Sequence, residues 1–130
     1  MNSVRHFFSI SMNYNIYDLI EKISKRTELY TGKRTLSHIR SFLDGYALAM
    51  HEANIPSTGT PEFSGFHNWL ANKFGYERLT IGYPEILLAA SLGKSAEHED
   101  WNINYFSVTK AQHDKSVDLF FSLVSEYKNA

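Results

Sequence analysis

Apolar residues recur at helical spacing over most of the chain. Across residues 15–30, Ile16, Leu19, Ile20, Ile23 and Tyr30 fall on one side of a 3.6-residue repeat. Asn13 or Asn15 can cap this helix by accepting a free backbone N–H, and Gly32 can close it in the left-handed conformation. Residues 36–53 carry the longest stripe, formed by Ile39, Phe42, Leu43, Tyr46, Ala47, Met50 and Ala53 behind Thr35 as N-cap. The Ile55-Pro56 step ends it, because a residue before proline is disfavoured in the α region. Thr60-Pro61-Glu62 opens a third helix, with proline at its first position and an acid in its first turn. Phe63, Phe66, Leu70 and Phe74 form its buried face, Trp69 stands beside them, and Gly75 stops it. A short fourth helix starts at Gly82-Tyr83-Pro84-Glu85, turns Ile86, Leu87 and Ala90 inward, and ends at Gly93. The last helix spans residues 114–127, with Val117, Phe120, Phe121, Val124 and Tyr127 inward.

Residues 94–112 show no period and read as a loop with at most a helical turn; a strand over 102–108 would lack a clear partner. The pattern predicts an all-α fold, a compact irregular bundle of about five helices. The 130 residues suit one domain spanning 1–130, and 43% hydrophobic with 15% aromatic residues is enough to build a core. Met12 stands just before the first periodic stretch, so residues 1–11 read as an upstream start or a loose N-terminal arm. That opening is too polar and short for a signal peptide, and no apolar run approaches the roughly 18–20 residues that span a bilayer. The absence of cysteine excludes disulfides, zinc thiolates and a thiol nucleophile, and agrees with a cytoplasmic setting.

Charge is unevenly placed. Residues 1–50 carry seven Lys/Arg against four Asp/Glu, and residues 51–130 carry six against ten. The halves therefore stand at +3 and −4, a split able to orient a charged partner. Lys22, Lys25, Arg26, Lys33, Arg34 and Arg40 gather around the first interhelical turn, where they could meet phosphates. That region lacks the tight turn and short recognition helix of a helix-turn-helix, so direct nucleic-acid binding, or a regulatory role using this region, is the alternative reading.

Chemistry-bearing motifs are missing. No Gly-x-Gly-x-x-Gly, phosphate loop or Gly-x-Ser-x-Gly elbow occurs. The six histidines form no His-x-x-x-His pair. His98, Glu99, Asp100, His113 and Asp114 could meet as a metal or acid–base site, but such a polar stretch is far more often a solvated loop. No catalytic residue, metal or cofactor is assigned, and the expectation is a binding protein, not an enzyme.

Three blocks carry a resemblance. They are Phe63-x-x-Phe66-x-x-Trp69-Leu70-x-x-Lys73-Phe74-Gly75, Gly82-Tyr83-x-x-Ile86-Leu87, and Phe120-Phe121-x-Leu123-x-x-Glu126-Tyr127, preceded by Ile39-x-x-Phe42-Leu43-x-Gly45-Tyr46. In this order they resemble small helical immunity proteins found beside bacterial polymorphic toxins, including those of contact-dependent growth inhibition systems. The resemblance covers roughly residues 36–127. It departs at Tyr83, where tryptophan is more typical, and in the long acid-rich stretch between Leu92 and Asp114. It implies a protein that binds and neutralises one cognate toxin, commonly a nuclease. A nuclease attracts phosphate with a basic cleft, so its inhibitor should offer carboxylates. Glu97, Glu99 and Asp100 are the densest group, and Trp101 and Tyr105 beside them are candidate anchors; these five residues are the expected toxin-binding site.

Overall fold

In a computed structural model, which describes residues 14–76, 82–95 and 107–130, three helices begin where a short polar side chain, Asn15, Thr35 or Thr109, takes a free N–H group. Asn15 opens α1 (Ile16–Lys25): its Oδ1 accepts from the Tyr17 N–H, while its own N–H donates to Asp18. The single helix expected over 15–30 is two, because the chain leaves helical geometry at Arg26 (φ −147°). The buried Thr27 hydroxyl bonds back to the Ile23 carbonyl across this break, an arrangement that bends helices. Helix α2 (Thr27–Thr31) follows and closes at Gly32 (φ 80°).

Thr35 caps α3 (Leu36–Glu52) by accepting from the His38 N–H. The end of α3 is set before the Ile55-Pro56 step. Asn54 adopts φ 56°, its N–H reaches the His51 carbonyl, and the Ile55 N–H reaches that of Met50. These two bonds are a Schellman closure, which brings the residue after the left-handed one back against the helix.

The third helix does not begin at Pro61. Glu62 is extended, Phe63–Gly65 form a 3₁₀ turn, and α4 runs over Phe66–Lys73. Pro61 and Glu62 stay outside the helix; their carbonyls accept hydroxyl protons from Tyr17 and Tyr127, and the Glu62 carbonyl also accepts the first bond of the 3₁₀ turn from the Gly65 N–H. Helix α5 (Tyr83–Ser91) occupies the expected place, and seven of its nine residues are buried, which makes it the central element. It lies along α6 (Lys110–Lys128), with α3 and α4 against it. Helix α6 starts four residues earlier than its apolar stripe suggests. Thr109 and Gln112 form a reciprocal capping box, a signal present in the sequence as Thr-x-x-Gln.

The described residues contain six α-helices and no strand, so the all-α bundle is observed, with one helix more than expected because the first is split. Phe66, Phe120, Ile23, Ile39, Leu43, Leu70, Ile86, Leu87 and Val117 lose essentially all solvent contact. The three blocks singled out in the sequence converge here. Phe66 lies 5.3 Å from Phe63, 5.6 Å from both Tyr83 and Tyr127, and 5.8 Å from Phe120, ring centre to ring centre. Two members depart from expectation. Phe74 sits beyond the last turn of α4 and is 37% exposed, and Trp69 is only partly buried against Tyr127. Ala47 and Ala53, placed on the inward stripe of α3, face solvent instead.

Candidate functional site

The residues expected to meet a partner, Glu97, Glu99, Asp100, Trp101 and Tyr105, lie outside the described residues. Within them, a groove of about 520 Å³ lies between the second half of α3 and residues 54–64. Its floor is apolar, with Leu43, Met50 and Phe63 among the floor residues and Ile16 at one end. Most of its walls are themselves exposed residues, so it opens broadly to solvent.

Local structure explains why apolar groups stand open here. Asp44, Ala47, Leu48 and His51 are spaced i, i+3, i+4, i+7 and form an outward stripe on α3. Leu48 is 61% exposed. The Schellman closure of α3 delivers Ile55 to the same end of the helix, 45% exposed and lining the groove. Sequence reasoning passed over both residues. Leu48 is an apolar residue off the inward stripe, and Ile55 follows an asparagine suited to the left-handed cap, so both signals were present in the residues.

The wall opposite α3 is held by three hydrogen bonds from the core helices. The Ile16 N–H donates to the Ser57 carbonyl at 2.8 Å, the Tyr17 hydroxyl to the Pro61 carbonyl, and the Tyr127 hydroxyl to the Glu62 carbonyl at 2.6 Å. Burial, with Tyr127 nearby, pushes the Tyr17 phenol up to about 12, so it remains a donor at any physiological pH. Gly59 keeps this wall close: at φ 67°, a Cβ there would stand 2.8 Å from the Tyr17 ring.

Two carboxylates, Asp44 and Glu62, are the only full charges that line the groove among the described residues; no lysine or arginine lines it. Asp44 is paired with Arg40 of its own helix at 3.6 Å, with both side chains substantially exposed. Such a pair is weak and can exchange partners.

Four of the six basic residues around the first turn, Lys22, Lys25, Arg34 and Arg40, have partners within the chain. Arg34 grips α6 through Asp114 Oδ1 at 3.0 Å and Asp118 Oδ1 at 2.6 Å, Lys25 pairs with Glu21, and Arg40 lies over the Tyr83 ring. Lys22 covers the Tyr14 ring. Hydrogen bonds from Lys110 and Arg34 hold the Asp114 carboxyl below the usual carboxylate range.

Ser37, Glu85, His113 and Ser116 share a pocket between α3, α5 and α6, but its space is about 20 Å³, enough for one water and not for a substrate. Burial keeps the His113 imidazole below its ordinary pKa. No group of three His, Asp or Glu among the described residues is placed to hold a metal ion. No helix among them is long and apolar enough to cross a membrane. Compared with family models, curated proteins and solved structures, the chain matches none.

Proposed function

We propose that the chain is an immunity protein that binds a cognate bacterial toxin and neutralises it in the cytoplasm by stoichiometric blocking. The observation that carries this reading is the groove beside α3: an open apolar surface edged by carboxylates and free of lysine and arginine, on a wall fixed from the core. Open apolar surface bordered by polar groups suits protein association, and the borders set partner choice and encounter rate. The nuclease identity of the toxin rests on the resemblance and on charge. A nuclease presents cations to phosphate, and Asp44 and Glu62, with the acidic run of residues 97–100, offer the complementary sign.

The test is co-expression with the product of the adjacent reading frame. The expected result is a one-to-one complex, stable through size-exclusion chromatography, that abolishes the toxicity of that product. Failure of the two chains to associate, with salt-sensitive binding of DNA or RNA by the isolated chain, would replace this reading with the nucleic-acid one.

A further inference from the structure

The occupant of the groove can be specified further, on the footing that the chain works by binding a protein. Four large apolar side chains are well exposed among the described residues: Leu29, Leu48, Ile55 and Phe74. One of them, Ile55, lines the groove, and Leu48 lies outside the lining on the exposed α3 stripe whose Asp44, Ala47 and His51 line it. The lining also carries Asp44, which Arg40 meets from outside it at 3.6 Å, and Glu62, and includes no lysine or arginine. We infer that the groove receives an apolar segment of the toxin bracketed by lysine or arginine, its aliphatic or aromatic side chains entering against Met50 and Ile55 and extending over Leu48 on the flanking stripe, and its cations lying against Asp44 and Glu62.

Three features favour this occupant. The groove is open along its length, whereas a small-molecule site encloses most of its ligand. A second copy of the chain would bring the same face to itself and set Asp44 and Glu62 against their own counterparts, which like charge disfavours. A basic partner segment gains from both carboxylates, and Arg40 can yield Asp44 because their pair is exposed and long. The wall is already fixed by Ile16, Tyr17 and Tyr127, so the partner meets a formed surface and little ordering is needed on this side.

The experiment uses the full chain and four variants: Leu48→Asp with Ile55→Asp, Asp44→Lys with Glu62→Lys, deletion of residues 1–13, and Leu29→Asp as an exposed control outside the groove. Two probes are used. One is the purified product of the adjacent reading frame. The other is a pair of 16-residue helix-forming peptides sharing one leucine stripe, one carrying lysine and the other glutamate on the polar face. The expected outcome is that both groove double variants weaken toxin binding on the order of 100-fold, as loss of central interface contacts does. They melt like the parent, and Leu29→Asp binds like the parent. The lysine peptide binds the parent but neither groove variant, and the glutamate peptide binds none. Toxin binding unchanged in both groove variants overturns the inference and leaves the immunity reading standing. Equal binding of the two peptides overturns it as well. Lysine-peptide binding that appears only after residues 1–13 are removed would assign the groove to the chain's own N-terminal segment, with Arg5, His6, Phe7 and Phe8, and overturn it too. Absent toxin binding with intact peptide discrimination overturns the immunity reading and supports the groove's preference.

Discussion

The hydroxyl of Tyr127 stands 2.6 Å from the Glu62 carbonyl oxygen, and a Cβ placed on Gly65 would meet that same hydroxyl at 2.6 Å. One atom in the last turns of α6 thus holds the groove wall and requires glycine at the 3₁₀ turn. Tyr127→Phe removes the bond and should cost about 1 kcal/mol of stability, the usual worth of one such hydrogen bond. Gly65→Ala should cost at least as much, because the hydroxyl must move off Glu62. The two losses should not add. Without the hydroxyl the alanine meets less resistance, so the double variant should be more stable than the sum of the single effects implies. Urea unfolding of the four proteins measures this; simple additivity would show that Gly65 and Tyr127 do not share the contact.

The aromatic cluster ranks its members by depth, with Phe66 at its centre and Trp69 partly buried against it. Phe66 is 1% exposed with five ring neighbours within 6.0 Å, Trp69 among them, whereas Trp69 keeps solvent contact and has the Lys73 ammonium over its ring at 5.4 Å. Phe66→Ala should cost roughly 3–5 kcal/mol, the range for aromatic truncation in a core. Trp69→Ala should cost distinctly less, since part of the ring is already in water. Equal losses in denaturant unfolding would contradict this packing.

Helix existence was legible because the apolar stripes are long and the caps are short polar residues placed just ahead of them. Boundaries were less legible, for reasons the structure supplies. Thr27 breaks the first helix through a side-chain bond that no period reveals. Tyr17 and Tyr127 tie the Pro61 and Glu62 carbonyls to the core from 44 and 65 residues away, contacts that no local pattern shows. The start of α6 was available in Thr109 and Gln112, but the apolar stripe outweighed that polar signal. The groove was legible only in part. Leu48 and Asn54-Ile55 could be noticed in the residues, but that they border a common surface depends on how α3 ends and on the wall it faces. The acidic run at 97–100, the densest group of carboxylates in the sequence, falls outside the described residues.

His113 links stability to mild acid. Burial is the leading cause of its lowered pKa; Asp114 beside it acts the other way, and His38 reinforces the lowering. In the unfolded chain its imidazole takes a proton near 6.5, while in the folded chain it does so at lower pH. The unfolded state therefore binds more protons just below 6.5, and stability falls as pH drops through that window. Asp114, whose pKa is also lowered, contributes in the same direction but only nearer pH 4 and below. His113→Gln should flatten the change in urea midpoint between pH 7.5 and 5.5. A variant that loses as much stability as the parent over that interval would show that another group titrates there.

The central claim is that the partner seats on the groove between α3 and residues 54–64. Amide hydrogen exchange of the chain, alone and bound to the product of the adjacent reading frame, tests it most directly. The account predicts that binding slows exchange at residues 47–58 and 62–64, around Leu48, Ile55 and Glu62, and leaves residues 22–34 unchanged. Slowing confined to residues 97–105, or to the basic residues 22–34, with residues 47–64 exchanging as in the free chain, would contradict it.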